Sequence, residues 1–131
     1  MKLENQVCSL ELSKRLKELG VKQHSYFEWL LYPEKMEWEV SHTFKNQLGY
    51  SAFTVAELGE MLPDNCIDED NNEICWFYHD KNNNCHRISY VHLCDEICSP
   101  FIEVKGENEA NARAKMLIYL LENKLMELPN E

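Results

Sequence analysis

Cysteine and histidine are the residue types in this chain whose spacing could support metal or thiol chemistry, since it holds six cysteines and five histidines. Structural zinc sites usually draw on close ligand pairs such as C-x-x-C, whereas the successive cysteines from Cys66 to Cys94 stand nine or ten residues apart. If residues 80–84 form a hairpin turn, His79 faces Cys85 across its mouth, and these two are the candidate metal ligands. Because buried free cysteine needs no ligand role, we expect no bound metal and no cofactor.

Catalytic arrangements are equally weak in the sequence. Cys85 and His86 are adjacent, and neighbours on a strand point to opposite faces, so they cannot form a thiolate–imidazole pair. No nucleophile lies in a recognisable elbow or at a helix N-terminus. Residues 68–79 match the first three ligand positions of a calcium loop, but the glycine and the final glutamate that it requires are replaced. The sequence therefore predicts no catalytic residue, and an enzyme is the less favoured class.

The charge balance excludes another class of function. The 23 acidic and 13 basic residues give a formal charge of −10, whereas affinity for nucleic acid is built from Lys and Arg. We expect no direct binding of nucleic acid and no membrane association, because the longest apolar runs fall short of the roughly 20 residues of a membrane span. The first residues carry no signal-peptide core. These features predict a cytoplasmic protein with reduced cysteines and a single domain over 1–131.

Three helices are predicted, each from a capping residue followed by apolar residues at three- and four-residue steps. The predicted N-caps are Ser9, Thr54 and Asn108. Glu57 completes a capping box with Thr54, and Pro63 ends that helix. The last helix is expected to run for about 18 residues and to pack on a sheet.

Alternating and aromatic segments predict the strands. A first hairpin spans residues 26–32 and 36–41, a second spans 74–79 and 85–93, and a last strand covers 101–105. The acid-rich residues 64–73 are predicted to form a mobile loop. The order α-β-β-α-β-β-β-α indicates an α+β fold, in which an antiparallel sheet of four to five strands has helices packed on one face.

The second hairpin also suggests a contact surface. If the hairpin is centred on residue 82, the face that is richer in large side chains is predicted to point toward the core. This face consists of Ile74, Trp76, Tyr78, Ile88 and Tyr90. The opposite face would remain open to solvent in a sheet with helices on one side. Exposed apolar patches of this kind are often contact surfaces. The predicted interaction surface comprises Cys75, Phe77, Arg87 and Val91.

Three segments resemble a group of small uncharacterised proteins of gut bacteria and their prophages. They are residues 5–12 (NQVCSLEL), 52–63 (AFTVAELGEMLP) and 109–120 (EANARAKMLIYL). The resemblance covers the helices, under half of the chain, and concerns residues assigned to caps and core faces. It implies a phage-associated or mobile-element setting and brings no established activity or site.

Together these features favour a non-catalytic cytosolic protein-interaction module. Its partner is expected to be another protein or a second copy of the chain in a homodimer. Two alternatives stay open: an acidic phage-type inhibitor that mimics DNA, and a small thiol- or metal-dependent enzyme.

Overall fold

The computed structural model describes residues 2–43, 49–83, 85–93 and 98–129. It has the predicted α+β class and the three predicted α-helices, but its strands form two antiparallel sheets of three and four strands instead of one sheet of four to five. The elements are, in chain order, a 3-10 helix Leu3–Asn5, α1 Leu10–Glu18, β1 Phe27–Tyr32, β2 Glu37–His42, β3 Tyr50–Ser51, α2 Val55–Met61, β4 Asn65–Asp68, β5 Glu73–Asn82, β6 Cys85–Leu93, β7 Cys98–Gly106 and α3 Glu109–Glu122.

The three predicted helix caps are present. The Ser9 side chain accepts a hydrogen bond from the Leu12 backbone, Thr54 and Glu57 form a complete capping box, and Asn108 caps α3. Each cap gives a polar partner to backbone N–H groups that the first helical turn leaves unbonded. The local sequence therefore determines where the helices begin.

The small sheet has the order β2-β1-β3 and contacts the first helix. The predicted hairpin of β1 and β2 is confirmed, with Trp29 opposite Val40. The short β3, which the sequence patterns did not predict, completes this sheet because Tyr50 and Ser51 pair with β1. The Trp29 indole donates a hydrogen bond to the Cys8 carbonyl at 3.0 Å and so connects this sheet to the start of α1.

The larger sheet has the order β4-β5-β6-β7, and α3 packs across one of its faces. Leu117 and its fully buried neighbours on α3 contribute to the main core. The helix also contacts α1: the Ser9 N–H donates to Asn111 Oδ1 at 2.8 Å across 102 positions of sequence. Gly106, at the end of β7, permits the close approach of α3, because a Cβ there would lie 2.5 Å from the Ala112 backbone nitrogen.

Two element predictions were wrong. Residues 64–73 are not an unstructured loop, because β4 forms within them with Cys66 and Asp68 buried. The last helix has 14 residues instead of about 18 and ends before Asn123, and Lys124 adopts a left-handed φ of 56°. β4 alternates exposed and buried residues. One of its two buried residues, Asp68, is itself acidic, so the hydrophobic alternation that would indicate a strand is missing from the sequence.

The register of the second hairpin also differs from the prediction. Phe77 pairs with Tyr90, and Asn82 pairs with Cys85, so that the turn is shorter than residues 80–84. Asn83 has a φ of 54°, the left-handed conformation that asparagine tolerates in tight turns. Since side chains alternate along a strand, the shift exchanges the two faces of β5 relative to those of β6.

In the described part of the chain, no helix is both long enough and apolar enough to cross a membrane.

Candidate functional site

The face of the larger sheet that points away from α3, called here the open face, carries exposed apolar side chains on two neighbouring strands. These side chains are 41% to 54% exposed. They are Ile67 on β4 and Ile74, Trp76 and Tyr78 on β5. Beside them, Ser89 and Val91 are buried at the floor of a groove of about 400 Å³, which Tyr78 and Pro100 also line. The open face therefore combines a raised aromatic ridge with a shallow groove.

The other half of the open face is charged. The Arg87 guanidinium donates from Nε to Asp80 Oδ1 at 2.7 Å and lies 3.9 Å from Glu103. The hydrogen bond from Arg87 lowers the pKa of Asp80 below its usual value. By register, Lys105 stands opposite Arg87 on the neighbouring strand. This half of the face thus holds two acids and two bases.

On the opposite, helix-facing side of the sheet, His79, His86 and Glu109 form what we call the histidine–glutamate cluster. His79 Nε2 lies 3.1 Å from His86 Nδ1 and 3.9 Å from Glu109 Oε1. The two imidazole rings are stacked, with centroids 5.3 Å apart and an interplanar angle of 13°. Burial and the neighbouring His79 lower the pKa of His86, which favours the neutral ring.

Arg113 fixes the carboxylate of this cluster. Its Nε and Nη2 atoms each lie 2.7 Å from Glu109 Oε2, one turn away on α3. The guanidinium carbon also stands 5.2 Å from the centre of the Phe77 ring, a cation–π distance. One carboxylate oxygen is therefore held by Arg113, while the other faces the histidines.

A second polar cluster surrounds His92 near the other end of the sheet. His92 Nδ1 lies 2.8 Å from Glu73 Oε2, and His92 Nε2 lies 3.2 Å from Asp68 Oδ2. The Cys75 thiol stands 3.5 Å from His92 Nδ1. Each imidazole nitrogen of His92 therefore has a carboxylate neighbour. Because the Glu73 carboxylate is closer to Nδ1 than the Cys75 thiol is, the ring is poorly placed to take the proton of Cys75.

The buried thiols are electrostatically unsuited to act as nucleophiles. Burial raises the pKa of Cys8 and of Cys75, and raises the pKa of Cys66 to about 11. The acids near Cys75, Asp68 and Glu73, raise its pKa further. Reactive cysteines show the opposite behaviour, because the thiolate is the nucleophile.

Alkylation rates should reflect these shifts. At about pH 8, a pKa raised from 9.0 to about 11 reduces the thiolate fraction of Cys66 about 100-fold, so iodoacetamide should modify it at least that much more slowly than in the unfolded chain. Peptide mass spectrometry after timed labelling measures the rate, and the partly exposed Cys85 serves as an internal control. Equal labelling of Cys66 and Cys85 would contradict the expected protection.

The candidate residues from the sequence are not assembled as expected. His79 and Cys85 point to opposite faces, because His79 pairs with Ile88 and Cys85 with Asn82. The expected interaction surface is divided too: Cys75 is buried and Phe77 packs against the core. Arg87 and Val91 remain on the open face, where the structure places Ile74, Trp76 and Tyr78 in addition. The corrected hairpin register is the physical reason for both changes.

A cleft larger than the groove of the open face lies between α2 and the segment after α3. It has a volume of about 690 Å³, and Tyr26, Phe53, Met61 and Leu128 contribute to its walls. Glu57, a partly buried carboxylate that lines this cleft, accepts hydrogen bonds from the Thr54 and Tyr26 backbone N–H groups and from the Ser25 hydroxyl. It therefore stabilises local structure and is not placed for acid–base chemistry.

Comparison with known proteins identifies no relative of this chain. No family model matches it, and neither curated proteins nor solved structures gave a match. The expected phage-associated setting has no further support from these comparisons.

Proposed function

We propose that this protein is a non-catalytic, cytosolic interaction module that self-associates through the open face of its larger sheet. The observation that carries the proposal is the contiguous row of Ile74, Trp76 and Tyr78, which stays exposed on the side of the sheet away from α3. Isolated exposed apolar residues are ordinary, but a contiguous patch with aromatic side chains is typical of contact surfaces. The resemblance adds a phage-associated setting to the proposal.

Charge favours a second copy of the chain as the occupant. The whole chain carries a formal charge of −10, so two copies repel each other over most of their surfaces. On the open face, Asp80 and Glu103 are balanced by Arg87 and Lys105. Two copies that approach through this face therefore bring together a nearly neutral surface, and the ionic groups can pair across the interface.

The size of the face sets the expected affinity. Strands β5 and β6 have ten and nine residues, which span about 30 Å at about 3.4 Å per residue. Four strands spaced about 4.8 Å apart add a width of about 15 to 19 Å. The flat area of about 500 Å² is below the roughly 800 Å² per partner of a standard interface. We therefore expect a weak dimer whose population depends on concentration.

Replacing Trp76 with alanine should weaken this dimer. Truncation of a central aromatic residue costs about 2 kcal/mol or more at many interfaces, and a two-fold dimer contains the residue twice, so the dissociation constant should rise at least tenfold. Sedimentation equilibrium over a concentration series measures the constant. Tyr26→Ala is the matched control, because Tyr26 is 77% exposed and lies outside the larger sheet.

A wild-type protein that stays monomeric at the highest attainable concentration would rule out self-association. Equal weakening by Trp76→Ala and Tyr26→Ala would show that association involves another surface. Circular dichroism of both variants establishes that the helices remain intact.

A further inference from the structure

The histidine–glutamate cluster is assembled by three features of the fold. The tight turn after β5 makes His79 and His86 diagonal neighbours on the helix-facing side, since His86 pairs with Lys81 and His79 with Ile88. His86 also pairs with Gly106 at the end of β7. Glu109 follows three residues later as the first residue of α3. Strands β5 and β6 and helix α3 therefore each contribute one side chain to a single point.

The three candidate ligand atoms lie close enough to hold one ion, since all are within 4.8 Å of one another, although the His79–His86 distance is also that of a hydrogen bond. A tetrahedral ion with bonds of about 2.0 to 2.1 Å separates its ligand atoms by about 3.3 to 3.4 Å. The separations of 3.1 Å between His79 and His86 and 3.9 Å between His79 and Glu109 lie on either side of that value. At 3.9 Å the carboxylate is too far away to accept a hydrogen bond from the imidazole.

The surroundings orient the carboxylate as they do in metal sites. Arg113 binds Glu109 Oε2 and leaves Oε1 directed toward His79. Outer contacts of this kind fix the position of a ligand before a metal binds. Glu109 is 24% exposed and His79 is 26% exposed, so an ion can reach the cluster from solvent.

We propose that His79 Nε2, His86 Nδ1 and Glu109 Oε1 bind one divalent transition-metal ion of the zinc type, with water completing the coordination. Two imidazole nitrogens and one carboxylate oxygen suit zinc, whereas calcium and magnesium require mostly oxygen ligands. The ion joins the sheet to the start of α3. The site lies on the helix-facing side, opposite the proposed dimer surface, so either proposal can fail without the other.

Zinc titration of the full chain tests the proposal directly. Isothermal titration calorimetry with zinc sulfate should show one ion bound per chain, and the affinity should depend on His86. Loss of an outer-shell partner alone typically weakens a metal site about 10- to 100-fold, so His86→Gln, which removes a ligand, should weaken binding at least about 100-fold. His24→Gln is the matched control, because His24 is exposed outside the cluster, and it should bind zinc as the wild type does.

Cobalt spectroscopy separates this site from the cysteine-containing cluster at His92. Co²⁺ bound by nitrogen and oxygen should give d–d absorption without a thiolate-to-cobalt charge-transfer band, and His86→Gln should remove that absorption while Cys75→Ser leaves it unchanged. If His86→Gln loses its helical circular dichroism, His79→Gln replaces it in both measurements. Zinc affinity that survives these substitutions, an absence of zinc binding by the wild type, or a thiolate band lost in Cys75→Ser would each overturn the proposal.

Discussion

Leu117→Ala is expected to lower the free energy of unfolding by about 2 to 5 kcal/mol. Leu117 is fully buried on α3 and belongs to the core shared with the larger sheet and the other helices. Its truncation removes apolar area from the interior and leaves a cavity that the surrounding backbone cannot fully close. Urea unfolding monitored by circular dichroism measures the change.

Leu31→Ala provides the matched control, because Leu31 is 41% exposed on β1. The same substitution there should cost less than about 1 kcal/mol. If Leu117→Ala also cost less than about 1 kcal/mol, α3 would be peripheral to the core.

Gly106→Ala is expected to destabilise the fold by about 3 kcal/mol or more, at or above the upper end of ordinary overpacking. The added methyl carbon would lie 2.5 Å from the nitrogen and 2.9 Å from the Cα of Ala112. Both contacts are with backbone atoms, so relief requires α3 to move away from β7. Because Glu109 begins that helix, the same change should also weaken zinc binding.

Gly59→Ala tests whether this effect depends on the backbone contact. The added carbon at Gly59 would lie 3.0 Å from Nη1 of Arg113, the end of a flexible side chain. Since alanine is favoured over glycine in a helix by about 1 kcal/mol, this variant should be as stable as the wild type or more stable. Thermal unfolding of the two variants compares them, and a stable Gly106→Ala protein would disprove the close approach of β7 and α3.

The beginnings of the helices could be predicted from sequence because capping is a local interaction. Ser9, Thr54 and Asn108 each bond to a backbone group within three residues, so the neighbouring sequence determines the outcome. The end of the last helix was harder to predict. Leu125 continues the apolar spacing beyond Glu122, but its backbone N–H donates to the Leu120 carbonyl in a turn that ends the helix.

Strand register was less predictable because both candidate faces of the second hairpin carry large apolar residues. Trp76 and Phe77 are equally suited to a core, and hydrophobicity alone does not distinguish them. The run of asparagines before Cys85 allows more than one turn length. The buried Asp68 was similarly hidden, because its carboxylate is satisfied by Asn71 and by the ring of His92, which lies on another strand.

The histidine–glutamate cluster could have been found only in part from sequence. A two-residue turn between Asn82 and Cys85 places positions 79 and 86 diagonally across a hairpin, and that relation is readable once the turn length is known. Glu109 depends on how closely α3 approaches the sheet, which is a tertiary property. The sequence-based choice of Cys85 as the partner of His79 assumed a turn over residues 80–84, and the shorter turn places His79 opposite Ile88 instead.

The hydrogen bond between Ser9 and Asn111 has a consequence for the order of events during synthesis. The two residues are 102 positions apart, and a ribosome adding about 5 to 20 residues per second needs about 5 to 20 seconds to make that length of chain. Throughout this interval the apolar side of α1, including Leu16, lacks the α3 surface on which it packs. Helix α1 therefore cannot complete its packing until α3 has been made, and contacts of such long range slow folding.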